Sequence, residues 1–384
     1  MRKMATVCRV KNVWALEGKD KIVGCSFNEN GYECVVGKDT KVGDLVCFIQ
    51  EGSVLPDEER WKHLSRSWNE RAGGYLIKPM KFAGVKSWGL AVPLHELGIK
   101  ARAGKDLTKK LGIRKWGDDG FEEEETGLKA LLARLSGKKE DDRFPSWIIS
   151  KSDETTVQNM SGVLERFAES DVYITAKMEG ASGTVVPVMR GRKMIGAYPC
   201  SRNLAFRRDN GNDLWMVMRK AGIEDKLKKI YAQTGKAWAI QFEQCGPGIQ
   251  HDIYCLPEKE WFLFSAKDVR TGRQCGYDEL VELSERLGVG VVPLLWRGKL
   301  RDAMYTVDKA VAFAERARWK PEREGFIKSY IGEGDFQHEG VVVRTEDYDK
   351  DKDIGCSFKV KNLAYQEMGL GKIHDKCRKA LGEV

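Results

Sequence analysis

From Met1 to about Leu97 the chain is a series of short runs in which apolar and polar residues alternate: ATVCRVKNV, IVGCSF, YECVVG and KVGDLVCFI. Successive side chains of a strand point to opposite faces, so runs of this period fold as half-buried strands and not as helices. Turn residues punctuate them, notably Glu29-Asn30-Gly31 and Val42-Gly43-Asp44. Several short strands in about a hundred residues predict a small barrel or sandwich. An OB-like barrel is one such solution and presents a face to nucleic acid, although alternation alone leaves other small barrels open.

Residues 98 to 145 change character. Gly117-Asp118-Asp119-Gly120 and the acidic run Glu122 to Glu125 precede Leu128, Leu131, Leu132 and Leu135 at helical spacing, which reads as a linker carrying one amphipathic helix. From 146 to 370, strand-like segments (VYITAKM, AWAIQFEQ, EWFLFSA, EGVVVRT, CSFKVKN) alternate with helical stretches, for example 276–287 and 307–319. Alternation within those strands favours antiparallel sheets with one face lining a groove. Residues 371–384, with Lys372, Lys376, Arg378 and Lys379, read as a basic tail, helical or frayed. The reading is thus α+β: a barrel over 1–97, a linker over 98–145, a larger domain over 146–370 and the tail.

The chain's 384 residues suit two domains, and its 42% hydrophobic and 32% charged residues suit a soluble protein. No run approaches the roughly 18 apolar residues of a membrane span, so no membrane partner is expected. Lys plus Arg number 65 against 57 Asp plus Glu, an excess of +8 that allows a polyanionic partner without demanding one. The ten cysteines are scattered with no leader before them, which reads as reduced thiols in a cytoplasmic setting. There is no CxxC and no HExxH among the five histidines, and neither the GxxxxGK[ST] nor the GxGxxG phosphate loop occurs.

The segment that carries chemistry is Ile174-Thr-Ala-Lys177-Met-Glu179-Gly180-Ala-Ser182-Gly-Thr184. It places an amine at the end of an apolar strand, followed by a carboxylate and a glycine that lets another group approach the backbone closely. On this segment alone, a strand ending in an exposed Lys-Glu pair is an equal reading. KxEGxSGT is similar to the first motif, KxDG, of the covalent nucleotidyltransferases, the polynucleotide ligases and mRNA capping enzymes. An ordered series follows it: Ser201-Arg202-Asn203, Phe242-Glu243, Gly246-Pro-Gly-Ile-Gln250, Trp261-Phe262-Leu-Phe264, Glu339-Gly340-Val-Val-Val and Phe358-Lys359-Val-Lys361-Asn362. These resemble the remaining motifs in the family's order. With Val42-Gly43-Asp44, Asp153-Glu154 and Val157-Gln158-Asn159, the chain most resembles ATP-dependent RNA ligases of the branch with an N-terminal OB domain. About twenty residues follow Lys361, too few for the C-terminal OB domain of DNA ligases and capping enzymes.

The resemblance implies an OB-like barrel followed by a nucleotidyltransferase domain of antiparallel sheets flanked by helices. It makes Lys177 the nucleophile that carries AMP, and implies a divalent Mg²⁺ or Mn²⁺ near Glu179, Glu243 and Glu339. Glu179 replaces the usual aspartate, so a ribose hydroxyl is an alternative target for it. Lysine must be neutral to attack phosphorus, and its usual pKa is near ~10.4. Positive charge from Arg202, Lys359, Lys361 and the ion is expected to penalise the ammonium and to stabilise the triphosphate. Lys359 and Lys361, two apart on a strand, share a side. Phe262 and Phe264 also share one, and either can stack on adenine. Arg202 and Asn203 would contact ribose or phosphate, with Asn203 as a plain turn residue the alternative; Gly180 would lie beside the nucleotide, and Ser182 or Thr184 is either a nucleotide contact or, equally, a satisfied strand hydroxyl. Arg190, Arg192 and Lys193, and Lys78, Lys81 and Lys86 around Phe82 and Trp88, are candidate nucleic-acid contacts or plain solvated surface.

The function expected is that of a monomeric RNA ligase using ATP to join 3′-OH and 5′-phosphate ends, at nicks in a duplex with an RNA 3′-OH end, in RNA repair. A DNA ligase and a non-catalytic nucleic-acid-binding protein keeping the fold are the alternatives.

Overall fold

Alternation in the first hundred residues becomes a curled sheet. Strands β1 (Ala5–Leu16), β2 (Lys19–Phe27), β3 (Glu33–Gly37), β4 (Leu45–Gln50) and β5 (Gly89–Pro93) pair antiparallel in the order β5-β4-β1-β2-β3. The register of β1 against β2 slips between Val10 and Asn12, an irregularity that bends the long strand. The two edges then meet. The Trp88 N–H donates to the Glu33 carbonyl at 3.0 Å and the Val35 N–H to Ser87 Oγ at 3.1 Å, so the sheet curls nearly shut, as in an OB barrel. The structure is a computed model that describes residues 3–116 and 143–382, apart from 71, 79, 83, 84, 153, 161, 322–326, 335, 350–353, 363 and 366–369. The stripe Leu128 to Leu135, the run Glu122 to Glu125, Asp153 and the side chains of Lys81, Phe82 and Lys86 lie outside that description.

Two sequence expectations for this region need correcting. Trp88 is buried and its ring lies 6.3 Å from that of Tyr32, beside the Tyr32–Phe48 and Phe27–Phe48 pairs, so it is core and offers no face to a base. Residues 98–116 are not linker. Ile99, Leu107, Leu111 and Ile113 share a core with Val7, Ile49, Leu55 and Trp61, and Thr108 Oγ1 accepts from the N–H groups of Met4 at 2.8 Å and Ala5 at 3.1 Å. The chain divides into one unit of residues 1–127 with 158–161, and a second of 128–157 with 162–384.

In the second unit, all five strand-like segments read from the sequence are strands. β6 (Asp171–Lys177), β11 (Leu294–Lys299), β12 (Gly340–Thr345) and β13 (Ser357–Lys361), with Thr155–Thr156 at the edge, form a first sheet ordered Thr155–Thr156, β13, β12, β6, β11. β7 (Ala181–Arg190), β8 (Lys193–Cys200), β9 (Trp238–Cys245) and β10 (Glu260–Asp268), with Gly290–Val291, form the second, ordered β8-β7-β9-β10 and then Gly290–Val291. The pairing is antiparallel except at Thr155–Thr156 on β13 and Gly290–Val291 on β10, which are parallel.

Helices α1 (Asp213–Lys220), α2 (Ile223–Thr234) and α3 (Tyr277–Leu287) cover one face of the second sheet. Met218, Ile223, Leu227, Ile230, Leu280, Leu283 and Leu287 meet Val185, Ile240, Phe242, Trp261 and Leu263 there. In α3 the buried Tyr277, Leu280, Leu283 and Leu287 recur at helical spacing, Asp278 and Glu279 sit in the first turn, and Gly288 ends the helix at φ 68°. Helix α4 (Val307–Glu315) is shorter than the 307–319 expected: Ala317–Pro321 is a strand whose alternate Ala317 and Trp319 are buried. The C-terminal segment is no free tail, because α5 (Leu370–Ala380) buries Ile373 and Cys377 beside Trp319 and Tyr365.

Candidate active site

Lys177 ends β6 in the first sheet, and four residues later Ala181 opens β7 in the second, so Met178-Glu179-Gly180 is the crossing between the two sheets. The crossing can be tight because residue 180 lacks a side chain. A Cβ there would stand 2.5 Å from the Gln244 carbonyl and 2.8 Å from Cγ of Glu243. Register fixes the neighbours. Lys177, Gly340 and Lys361 form one row across β6, β12 and β13, and Thr175, Val342 and Lys359 the row two residues along, so the three lysines project from one face. In the second sheet Ser182, Glu243 and Phe262 form a row, and Thr184, Gln241 and Ser265 the next. Gly340 is required for the same reason as Gly180: a Cβ would stand 2.2 Å from the Val360 carbonyl.

These rows gather the charges. Lys177 Nζ donates to Glu339 Oε2. Burial alone would pull Lys177 down, but Glu339, Glu243 and Glu179 together push it above the ordinary lysine value. The two lysines that share its face bear on Glu339. Burial would raise Glu339, yet Lys177, Lys361 and Lys359 hold it below the usual carboxylate range. Glu243 is pushed up to about 8 by burial, with Glu339 and Glu179 adding to it and Lys177 opposing. Glu179 is raised chiefly by burial, although His251 opposes it.

The site offers oxygen donors to a hard cation. Oε2 of Glu179 is buried with no hydrogen-bond partner, and the raised Glu243 is a carboxylate short of positive charge. Among the described residues no three His, Cys, Asp or Glu side chains already converge to cage an ion. The donor set therefore fits a cation that keeps several of its waters, as Mg²⁺ does.

Several residues at the site carry no sequence signal. Oε1 of Glu179 meets Nδ1 of His251 at 2.8 Å. His251 sits in a loop with three non-glycine residues at positive φ, Gln250 at 49°, Asp252 at 47° and Cys255 at 50°, a concentration of backbone strain of the kind found at functional sites. Behind Glu179 runs a buried polar chain. The Glu179 N–H donates to Tyr254 Oη at 3.1 Å, Tyr254 Oη meets His338 Nδ1 at 3.3 Å, and His338 Nε2 meets Ser329 Oγ at 2.8 Å. Burial, aided by Arg318, pulls His338 down to about 3, so it is neutral. The chain ties the Glu179 turn to the residue before Glu339. On the other side, the Asn362 N–H donates to the Glu339 carbonyl at 2.9 Å and Asn362 Nδ2 to the His338 carbonyl at 3.1 Å.

Further along the groove both sheets and the 149–154 segment line a pocket with Ser150, Lys151, Glu154, Gln241, Ser265 and Arg344 among its walls. Arg344 is its anchor, donating to the Phe264 carbonyl at 2.5 Å, Glu154 Oε1 at 2.7 Å and Ser357 Oγ at 3.1 Å. Phe264 is half-buried at a register slip in β10, while Phe262 is sealed in the core, where a Cβ on Gly290 would stand 2.7 Å from its ring. Asn203, next to Arg202 in the loop after β8, accepts from Lys151 Nζ at 3.0 Å. Arg190 and Lys193 instead pair at the far tip of the β7–β8 hairpin, roughly 25 Å of strand away from Ser182 at about 3.3 Å per residue.

Two sheets exchanging a strand at a lysine, with carboxylates on both and paired lysines in register with the first, define the covalent nucleotidyltransferase class. The RNA ligase family model matches residues 170–361, half of the chain, and an OB-fold domain model matches residues 4–94. The chain belongs to the RNA ligase family.

Solved structures of Naegleria gruberi RNA ligase share the fold. A lysine-to-alanine variant with ATP and Mn is 24% identical with a TM-score of 0.74, covering 95% of this chain and 98% of that one. A glutamate-to-alanine variant with AMP and Mn is 25% identical with a TM-score of 0.73 and the same coverage of both chains. Among curated proteins, the bifunctional protein GlmU of Acinetobacter baumannii is 35% identical over 72 residues; the match spans 18% of this chain and 16% of GlmU.

Proposed function

We infer that the protein joins RNA ends with ATP in three steps. The lone pair of Lys177 Nζ attacks the α-phosphorus of ATP; a P–N bond forms, the α–β bridging P–O bond breaks and pyrophosphate leaves. An oxygen of an RNA 5′-phosphate then attacks that phosphorus, breaking the P–N bond and moving AMP to the RNA end. Finally a 3′-hydroxyl attacks the activated 5′-phosphate, forming the phosphodiester and releasing AMP.

The observation that carries this reading is Lys177 at the crossing of the sheets, facing three glutamates and sharing its face with Lys359 and Lys361. The lysine pair is placed to hold phosphate oxygens and the charge that develops on them. Glu179, Glu243 and Glu339 are the residues that would hold Mg²⁺ or Mn²⁺, which supplies positive charge both to the phosphates and against the ammonium form of Lys177. The Naegleria structures with ATP and Mn support that pairing of cofactors. The pocket at Glu154, Gln241 and Arg344 suits the base, with Phe264, the less buried of the two phenylalanines, as its stacking face. Arg202 and Asn203, tied to the rim by Lys151, suit the ribose and phosphates.

The first unit's OB fold suits the duplex beside the joined ends, at nicks with an RNA 3′-OH. A single chain carries every residue named, in keeping with a monomer. Ten free thiols suit a reducing compartment such as the cytoplasm.

The test is to incubate the protein with α-labelled ATP or GTP and Mg²⁺ or Mn²⁺ and to look for acid-labile label on the denatured chain. ATP is expected to label the wild type and not Lys177→Ala. No label with either nucleotide, or equal labelling of the variant, overturns the mechanism. Nicks with ribo or deoxyribo 3′ ends then separate RNA from DNA ligase, since equal rates contradict the RNA reading.

A further inference from the structure

Glu179 is held by the end of β9 and the loop that follows it. Its N–H donates to Tyr254 Oη at 3.1 Å, and its carbonyl accepts from Cys245 Sγ at 3.4 Å. Its Oε1 meets Nδ1 of His251 at 2.8 Å and the His251 N–H at 3.4 Å. Among the described residues, both hydrogen bonds to the carboxylate therefore come from His251, and Oε2 is left buried with no partner.

The loop is contorted around that contact. Gln250 and Asp252, on either side of His251, have φ of 49° and 47°, a left-handed backbone that persists only where the surroundings impose it. The surroundings here are core: Ile253, Tyr254 and Leu256 are buried, and the Tyr254 ring lies 4.9 Å from that of Trp319. The His251 side chain is 48% exposed, so its ring adds little to that core. The strained backbone turns the ring and the N–H of a surface residue onto one carboxylate oxygen. A hold is needed there. Glu179 faces Glu243 and Glu339, like charges repel, and a glutamate side chain has rotamers through which to turn away.

We propose that His251 is a positioning residue for the ligase reaction: it fixes Oε1 of Glu179, so that Oε2 is the oxygen presented to the divalent cation that accompanies ATP. Whichever atom carries the proton between Oε1 and Nδ1, the contact keeps the carboxylate from rotating. Partners that orient a metal ligand matter nearly as much as the ligand, and their loss costs about 10–100-fold in metal affinity. The inference rests on the ligase reading above, in which Glu179 helps to hold Mg²⁺ or Mn²⁺, and its test includes a measurement that needs no catalysis.

Mn²⁺ alone is titrated into the full chain, and the free ion is counted by electron paramagnetic resonance. His251→Ala is expected to weaken Mn²⁺ binding at least about tenfold. His251→Asn, whose amide nitrogen can stand where Nδ1 stood, is expected to stay within about threefold of wild type. In Glu179→Ala, adding His251→Ala is expected to cost nothing further, since His251 acts through that carboxylate. Wild-type Mn²⁺ affinity in His251→Ala overturns the proposal, as does a wild type that takes up no Mn²⁺. An asparagine variant as weak as the alanine one, or a further loss in the double variant, overturns it as well. ATP labelling across a Mn²⁺ series is read in parallel. The half-maximal concentration is expected to rise about tenfold in His251→Ala, with a smaller change in the rate at saturation. A rate lowered at saturation with an unmoved midpoint marks a merely structural effect, and the proposal fails. If the wild type itself does not label, the ligase reading falls while Mn²⁺ uptake still decides the role of His251.

Discussion

Two glycines set how close the strands bearing the reactive groups can come. Gly180 lies against the Gln244 carbonyl and Glu243, and Gly340 against the Val360 carbonyl, contacts of 2.5 Å and 2.2 Å for any added Cβ. Gly180→Ala is expected to push β9 and its Glu243 away from Lys177. Overpacking of this kind costs about 1–3 kcal/mol, to be read by urea unfolding, while the rate of ATP labelling should fall at least about tenfold, since small displacements of reacting groups cost that much or more. Unchanged labelling would mean that the crossing relaxes without moving Glu243. The lysine, the three glutamates and the paired lysines were legible as an ordered motif series. His251, Tyr254 and His338 were not, because nothing in sequence links a tyrosine to a glutamate 75 residues before it or to a histidine 84 residues after it.

Strands and helices were more legible than the ties between them. Each of the five strand segments read from alternation in the second unit is a strand, and α3 lies where its apolar spacing put it. Helix α4 stopped early because Ala317 and Trp319 recur at a period of two, which buries a strand face and no helix face. What alternation could not reveal is that Arg344 on β12 binds the carbonyl of Phe264 on β10, Ser357 on β13 and Glu154 before the first sheet's edge strand. That buried ion pair joins three elements around the pocket lined by Glu154, Gln241 and Arg344. Arg344→Met leaves Glu154 unpaired and is expected to cost about 3–5 kcal/mol, whereas adding Glu154→Gln should recover part of the loss. Thermal unfolding of the single and double variants checks this, and a single variant as stable as wild type would show the pair to be dispensable.

On the scale of the whole molecule, one unit contains the full lysine site and the other an OB barrel. Every group placed around Lys177 lies within residues 128–157 and 162–384. A chain lacking residues 1–127 is therefore expected to accept label from ATP at Lys177 while joining nicked ends at least about tenfold more weakly, given the phosphate contacts such a barrel supplies. Gel assays of labelling and of sealing on the same preparation check it, and undiminished sealing would remove the barrel from substrate binding. The sequence by itself determined the strand pattern, the order of the motifs and the chemistry of the residues in them, because period and residue type are local properties. Only the tertiary structure decided that three glutamates face Lys177, that Trp88 is core while Trp147 stands exposed, and that residues 98–116 belong to the first unit. Burial, electrostatic environment and register depend on which distant segments are brought together, and that is a property of the folded chain alone.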